Sequence, residues 1–428
     1  MKNDGIIKIN YSDIKIYEFG KIIYIYNVKY RSVVKISSDV FSIIKKAEEY
    51  ELKYNQLLDS FINDKDKNYI INLLKILNKN KIICGCFSEN YHNITDIQSK
   101  DLYLCITDSC NLSCKHCFSS CDSVDKSQMD VEILINLLPF LKKIKIRSLV
   151  ITGGEPLTNQ NFYKIVKILK YNLDYDNLIL STNGTLIDNL CADFICKNFN
   201  KIDISIDGYD EKSCSYIRGK GVFDKVIQSV RLLQLKGMRH ITLSMVFFEK
   251  NIDKIHDFRL LNKTLGTVPI ERHFIPFGRG LKNIELFCKE NTRISNSIPL
   301  LIKRSINEND SFRLLPFSCN AGNGQLFINY DGNIFPCPSL VTEEYCLGNA
   351  FDFSGVSVDI AIENSKGYKN LIELFPYNFT KCNSCKYSIF CLKCPARVND
   401  IKNNSLNYKQ WCNLMSEIFF SKYCEVIL

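Results

Sequence analysis

The run CNLSCKHC, from Cys110 to Cys117, contains three cysteines within eight residues. They are Cys110, Cys114 and Cys117, separated by three residues and then by two. Three thiolates at this spacing can bind three irons of a four-iron cluster and leave the fourth iron without a protein ligand. Such an iron is open to a small molecule, so the run predicts a site for chemistry. The alternatives are a tetrahedral zinc site or three unrelated buried cysteines.

Three short motifs follow this run, and each comes directly after an apolar segment that is typical of a buried strand. They are GGEP at 153–156, STNGT at 181–185 and SIDG at 205–208. Adjacent glycines let the backbone approach a ligand closely, and hydroxyl and amide groups suit polar contacts. Ordinary turn chemistry at a strand end is the alternative explanation for each residue.

Residues from about 101 to 290 alternate apolar strands with amphipathic helices. The predicted strands are LYLCIT, RSLVIT, NLILST, KIDISI, ITLSMVFF and VPIERHFIPF, and the predicted helices are VEILINLLPFLKKI, FYKIVKILKY, DKVIQSVRLLQLK and DKIHDFRLL. Repeated strand–helix units imply parallel strands with right-handed crossovers. Ligands of α/β barrels collect at the carboxyl ends of the strands, which is where the three motifs lie.

The order and spacing of these motifs resemble the radical S-adenosylmethionine (radical SAM) superfamily. Its signature has an aromatic residue beside the last cysteine, and here that residue is His116. The resemblance implies an α/β fold with a partial (β/α)6 barrel over residues 101–290. It also implies a 4Fe–4S cluster on the three cysteines, with S-adenosyl-L-methionine on the open iron. Reductive cleavage of that cofactor gives a 5′-deoxyadenosyl radical, with electrons from an external donor of the flavodoxin or ferredoxin type.

The same resemblance assigns the cofactor contacts. It implies that GGEP meets the methionine amino group, that Arg218 clamps the cofactor carboxylate as a bidentate partner, and that Val246 contacts adenine. The GRG sequence at 278–280 is a further turn with no assigned chemistry. The full predicted set is His116, Gly153, Gly154, Glu155, Pro156, Ser181, Asn183, Ser205, Asp207, Arg218 and Val246.

From about residue 310 the chain becomes loop-rich and holds nine of its twenty cysteines. Loops without an apolar core need another brace, which metal clusters provide. The cysteines resemble those of a SPASM domain, here over 310–428, and imply one or two auxiliary 4Fe–4S clusters. A first would bind Cys319, Cys337 and Cys394, and a second Cys382, Cys385, Cys391 and Cys412. Cys382, Cys385, Cys391 and Cys394 form a C-x2-C-x5-C-x2-C array. The family usually has three residues in the last gap, where this chain has two.

The first auxiliary site then lacks a fourth thiolate. Cys346 is one candidate ligand, and a thiolate of the substrate is the other, because a soft sulfur ligand suits iron. One or two zinc ribbons are the alternative for the whole array. Residues 291–306 are predicted to be a helical linker between the barrel and this domain.

Residues 1–90 begin with alternating segments that predict short strands: IIKINY, IKIYEF, KIIYIYNV and RSVVKIS. Helices are predicted at VFSIIKKAEE, capped by Ser38 or Asp39, and at KNYIINLLKILNK, with a short apolar segment NQLLDSFI between them and a closing strand KIICGCF. This order resembles the winged-helix module that binds the leader segment of precursor peptides as an added strand. The strand at 31–37 and the helix at 68–77 would form the groove. A structural extension or a DNA-binding module are the alternatives.

Bulk properties limit the remaining classes of protein. A chain of 428 residues with 46% hydrophobic and 24% charged residues is typical of two or three folded domains. The net charge of +9 is scattered, which argues against nucleic-acid binding. No apolar stretch is long enough for a membrane span and no signal peptide precedes the first strand, so we expect a cytoplasmic protein.

These features together predict an enzyme that modifies a ribosomally made precursor peptide by radical chemistry. A cysteine thioether cross-link, sulfur to carbon, is the expected product, and carbon–carbon cross-linking or epimerisation are alternatives. A sulfatase maturase is less favoured, because such enzymes usually have aspartate where this chain has Pro338. The non-enzymatic alternative is an iron–sulfur protein that only binds a peptide.

Overall fold

The computed structural model describes residues 5–85, 99–121, 127–288, 319–353, 357–375, 377–380, 382–391, 394–402 and 408–417. The predicted helical linker at 291–306 lies outside the described residues. Within them, no helix has the length and apolar character needed to cross a membrane.

The described residues of the N-terminal module, 5–85, form five strands and three helices. Their bounds are β1 (Lys8–Ile9), β2 (Ile14–Phe19), β3 (Ile22–Asn27), β4 (Ser32–Ser37), α1 (Ser38–Glu49), α2 (Tyr54–Asp59), α3 (Asp64–Lys79) and β5 (Ile83–Cys84). Strands β2, β3 and β4 form an antiparallel sheet, while β1 pairs with β5. The predicted order of strands and helices is confirmed. The predicted cap is wrong by one residue, because the Ser37 hydroxyl accepts the N–H of Val40.

The central domain contains the predicted parallel strands. They are β6 (Lys100–Cys105), β7 (Ile146–Thr152), β8 (Tyr175–Thr182), β9 (Lys201–Ser205), β10 (Ile241–Phe247) and β11 (Val268–His273). Each pairs in parallel with the next, as Leu104 with Ile151 and Leu243 with Ile204. Their apolar side chains and those of the covering helices form one buried core. The α/β fold class with six parallel strands is therefore confirmed.

The connecting helices are α4 (Val131–Leu141), α5 (Phe162–Asn172), α6 (Asn189–Asn198), α7 (Glu211–Arg218), α8 (Val222–Leu235), α9 (Ile255–Leu265) and α10 (Gly278–Lys282). The sequence did not predict α6, α7 or α10, and residues 278–280, predicted to be a turn, begin α10. Helices α6 and α7 are short, and their buried faces consist of only two or three side chains. Each begins at an aspartate cap, Asp188 and Asp210.

The C-terminal region extends the central sheet. Its strands β12 (Gln325–Ile328), β13 (Asn333–Phe335) and β14 (Gly348–Asn349) add to the free side of β6, with β12 parallel to it. Helices α11 (Val358–Asn364), α12 (Lys366–Glu373), α13 (Ser388–Cys391) and α14 (Pro395–Lys402) follow, and residues 408–417 are helical. The expectation that this region lacks an apolar core is wrong, because Leu371, Phe375, Phe390 and Trp411 are almost fully buried together.

The N-terminal sheet packs against this C-terminal core. Tyr24 and Tyr26 of β3 lie in the same apolar cluster as Phe390, and the Tyr24 and Phe390 rings meet edge to face at 5.1 Å. Lys15 donates to the carbonyl of Tyr377 at 2.9 Å. Arg31, predicted to begin the groove strand, lies outside β4 and is buried with its side chain against the C-terminal region.

Candidate active site

A cavity of about 530 Å³ opens at the carboxyl ends of the parallel strands. Sequence-predicted residues from several strand ends reach its wall. They are Cys110, Cys114, His116, Cys117, Gly153, Gly154, Ser181, Asn183, Ser205, Arg218 and Val246. Parallel strands bring motifs that are far apart in sequence to one edge of the sheet, so the grouping follows from the topology.

The three cysteines of CNLSCKHC lie on the loop that follows β6. Cys110 and Cys114 are buried and Cys117 is half-buried. Burial raises the pKa of Cys110 to about 11 and also raises the pKa of Cys114, where the charge of Arg218 opposes the shift. Without a bound metal ion, these two thiols keep their protons at neutral pH. Binding of iron would therefore release protons.

The GGEP turn packs directly on that loop. The Gly154 N–H donates to the carbonyl of Thr107 and the Glu155 N–H to the carbonyl of Ser109, both at 2.8 Å. A Cβ atom on Gly154 would lie 2.4 Å from the Ser109 carbonyl oxygen and 2.8 Å from that of Asp108. The glycine is therefore required by the approach of the chain to itself, in addition to any approach of a ligand.

The Glu155 carboxylate joins two neighbouring strand ends. It is fully buried and accepts the Thr182 hydroxyl at 2.7 Å, the Asn183 N–H at 2.6 Å and the Leu157 N–H at 3.1 Å. Burial raises the pKa of Glu155, and these hydrogen bonds oppose the rise. Glu155 and the buried Pro156 are absent from the residues that line the cavity, so they shape the turn.

Asp207 organises three of the predicted cofactor contacts. One of its oxygens binds His116 Nε2 at 2.7 Å and Arg218 Nε at 2.7 Å, and the other accepts the Val246 N–H at 2.6 Å. Burial would raise the pKa of Asp207, but Arg218 and His116 outweigh it and hold the pKa well below its usual range. Asp207 itself stays behind the cavity wall and positions the side chains that line it.

The arrangement fits a cluster and a polar cofactor in several ways. Three thiols share one cavity with the guanidinium of Arg218, whose Nη1 lies 3.8 Å from the Cys114 sulfur. His116 Nδ1 is buried without a hydrogen-bond partner among the described residues. No three His, Cys, Asp or Glu side chains of the described ranges converge at metal-binding distances. The fit therefore rests on the shared cavity and the chemistry of its thiols.

Arg279 is a contributor that the sequence did not assign. Its side chain donates to the carbonyls of Cys114 at 3.0 Å, Ser120 at 2.8 Å and Cys121, and its N–H donates to the carbonyl of Cys117 at 3.0 Å. One arginine thus holds both ends of the cysteine loop. The GRG sequence was the only signal, and its preceding glycine has φ +53° with the Phe118 carbonyl 2.2 Å from the position of a Cβ.

We expect Arg279→Lys to loosen this loop, because one ammonium group cannot reach three separated carbonyls. Loss of even one hydrogen bond from a charged donor costs about 1.5–3 kcal/mol, which corresponds to about tenfold or more weaker retention of iron. Iron remaining after challenge with a chelator measures the effect. Arg147→Lys is the matched control, since Arg147 forms its ion pair with Asp101 on the surface. Retention of iron at the wild-type rate by the Arg279 variant would contradict the assignment.

The auxiliary cysteines form two groups. Cys319, Cys337 and Cys394 pack in the same apolar cluster. Burial raises the pKa of Cys337, and the charges of Cys394 and Cys319 raise it further. Cys394, with Pro338 and Ser339, also lines the main cavity. Cys346 packs in a different apolar cluster, with its thiol directed to the Gly348 carbonyl at 3.6 Å.

The second group surrounds Cys391. Burial raises the pKa of Cys391, and the Trp411 N–H, 3.3 Å from its sulfur, opposes the shift. The charges of the other members of the group raise it further. Those members are Cys382, Cys412 and Cys385. Their role as ligands of a second auxiliary cluster stays a prediction.

A six-stranded parallel barrel segment with three thiols at its carboxyl edge, followed by a second cysteine-rich unit, defines a radical SAM enzyme with a SPASM domain. Family models agree: residues 104–261 match the radical SAM superfamily and residues 319–386 match SPASM, an iron–sulfur cluster-binding domain. The chain therefore carries a radical SAM domain followed by a SPASM domain. Its cofactors are accordingly S-adenosyl-L-methionine and iron–sulfur clusters.

Curated relatives and solved structures are similar to this chain at low identity. Mycofactocin maturase MftC of Mycobacterium tuberculosis (strain CDC 1551 / Oshkosh) is 23% identical over 300 residues, 67% of this chain and 75% of that protein. Streptococcus suis SuiB bound to S-adenosylmethionine matches with TM-score 0.54 and 15% identity, covering 94% of this chain and 98% of SuiB. The structure of anSMEcpe with bound AdoMet matches with TM-score 0.55 and 20% identity, covering 77% and 95%.

Proposed function

We propose that the chain modifies a ribosomally made precursor peptide by forming a cysteine thioether, sulfur to carbon. The observation that carries the proposal is the single cavity shared by the radical SAM cysteines and by Cys394 of the first auxiliary group. A substrate in this cavity would lie between the two cluster sites. MftC is named a maturase, and SuiB has been solved with its precursor peptide SuiA.

The residues of the cavity have distinct roles in this proposal. With S-adenosylmethionine bound, the cluster on Cys110, Cys114 and Cys117 supplies the 5′-deoxyadenosyl radical that abstracts a hydrogen atom. The GGEP turn and Arg218 orient the cofactor amino and carboxylate groups, and Asp207 keeps Arg218 in place. An external flavodoxin- or ferredoxin-type protein would deliver the electron.

The placement of Cys346 favours a substrate thiolate as the missing ligand. Cys346 packs in the apolar cluster of Cys105 and Phe335, whereas Cys319, Cys337 and Cys394 pack in another cluster. If the first auxiliary cluster keeps one iron open, a cysteine of the peptide can bind there through sulfur. Cross-linking would remove one hydrogen atom from carbon, one proton from the thiol and one electron. A cluster held by Cys319, Cys337 and Cys394 would accept that electron.

The N-terminal module would hold the leader of the peptide. Strand β4 pairs only with β3 among the described residues, so one of its edges is available for an added strand. β4 and α3 share a core through Val34, Ile36 and Leu73. The match to SuiB covers 94% of the chain, so it includes most of residues 1–90.

The experiment is incubation of the reconstituted enzyme with dithionite, S-adenosylmethionine and the small peptide encoded beside the gene. We expect a product lighter by two hydrogen atoms in which one cysteine no longer reacts with iodoacetamide. A product of that mass in which every thiol still reacts would contradict the thioether and indicate a carbon–carbon cross-link. Unchanged mass with deuterium taken up from solvent would indicate epimerisation. If the protein binds the peptide but forms no 5′-deoxyadenosine, it is a peptide-binding protein and the proposed enzymatic function is wrong.

A further inference from the structure

Arg31 connects the N-terminal module to the C-terminal domain through a buried charge. Its side chain is 6% exposed, and its backbone has φ +51°, in the left-handed region that few non-glycine residues adopt. The guanidinium donates to the carbonyl of Ala321 and to the Tyr368 hydroxyl at 3.1 Å. It also lies 4.4 Å from the centre of the Phe375 ring. Arg31 is therefore held tightly in a position that the strand β4 does not require.

The buried charge has no carboxylate partner among the residues that the structure describes. The ion pairs found there involve other cations, and the two hydrogen-bond acceptors of Arg31 are neutral. Removing a guanidinium from water is costly unless an opposite charge compensates it. The position of Arg31 therefore points to an anion that belongs beside it.

The cysteines of the first auxiliary group can supply that negative charge. Ala321 joins the two sites, since its carbonyl accepts from Arg31 while its N–H lies 3.5 Å from the Cys319 sulfur. Thiolates on an iron–sulfur cluster carry the negative charge that the guanidinium lacks.

We propose that Arg31 is a positioning residue of the first auxiliary cluster site, supplying counter-charge to thiolates on Cys319, Cys337 and Cys394. Reduction adds negative charge to a cluster, so a fixed cation nearby stabilises the reduced form and raises the reduction potential. The N-terminal module would then set the potential of a cluster as well as hold a leader. This rests on the auxiliary cluster of the proposed function but not on the bond formed in the peptide.

The test is a redox titration, followed by electron paramagnetic resonance, in the Cys110, Cys114 and Cys117 to alanine background, where auxiliary clusters remain. Arg31→Gln removes the charge and keeps a donor for Ala321, while Arg31→Lys keeps the charge. We expect one auxiliary signal to shift to more negative potential in Arg31→Gln and to stay near the wild-type potential in Arg31→Lys. Lys29→Gln, which removes an exposed cation of the same module, is the matched control and should leave both signals unchanged.

An unchanged potential in Arg31→Gln, with full iron content, would overturn the proposal. Loss of the iron of one cluster in Arg31→Gln, restored in Arg31→Lys, would support it through the same counter-charge. Loss of both auxiliary clusters in both variants would indicate general damage and overturn the specific role. The redox titration contains no peptide. Its result is therefore independent of the outcome of the cross-linking assay.

Discussion

Simultaneous replacement of Cys110, Cys114 and Cys117 by alanine is expected to abolish formation of 5′-deoxyadenosine from S-adenosylmethionine. The three thiols share one cavity with the residues assigned to the cofactor, and removal of all three leaves no sulfur ligand on the CNLSCKHC loop between Cys110 and Cys117. The iron of one cluster should be lost, while the auxiliary cysteines keep theirs. Chromatography of the nucleoside products and iron analysis measure the two effects.

Cys84→Ala and Cys196→Ala are the controls for this variant. Cys84 is exposed in the N-terminal module and Cys196 lies half-buried on α6, away from the cavity. Both should retain cleavage of the cofactor at the wild-type rate. If the triple variant still cleaves the cofactor, the assignment of the active site to this loop is wrong.

Gly154→Ala is expected to lower the affinity for S-adenosylmethionine by about tenfold or more. The added Cβ would lie 2.4 Å from the carbonyl oxygen of Ser109 and 2.8 Å from that of Asp108. Backbone atoms cannot relieve such a clash by changing rotamer, as a side chain can. Relief of the clash must displace the GGEP turn or the cysteine loop, at a cost of about 1–3 kcal/mol. Both carry cofactor contacts, so binding falls in either case. Equilibrium dialysis of the cofactor against the reconstituted protein measures the change.

Gly237→Ala separates this local effect from a general loss of stability. Gly237 has φ +93°, so alanine is strained there, but the added Cβ meets nothing within 4 Å. The control should lose some stability and keep its affinity for the cofactor. Equal affinity of Gly154→Ala and the wild type would show that the turn tolerates a side chain, against the close packing described here.

The sequence predicted the parallel strands and the cavity residues well for a physical reason. Strands covered on both faces carry short apolar runs, such as LVI at 149–151 in β7 and MVF at 245–247 in β10. Their carboxyl ends must meet at one edge, which groups the motifs that follow them. Helices α6 and α7 were missed because they are short and bury only two or three side chains each, too few for a clear helical pattern.

The bracing of the site could not be predicted, because its partners are backbone atoms far away in sequence. Arg279 binds the carbonyl of Cys114 across a separation of 165 residues, and Arg31 binds that of Ala321 across 290. A carbonyl has no sequence signature, so only the folded chain reveals such contacts. The GRG sequence at 278–280 predicted a turn, but it did not predict the hydrogen bonds of Arg279 to the cysteine loop.

The most direct test of the account uses precursor peptide deuterated at the carbon positions of its core residues. The enzyme is given S-adenosylmethionine and reductant, and the 5′-deoxyadenosine is analysed by mass spectrometry. The account predicts that deuterium passes from the peptide into 5′-deoxyadenosine in step with loss of peptide mass. Formation of 5′-deoxyadenosine without deuterium, from peptide that stays unmodified, would contradict it.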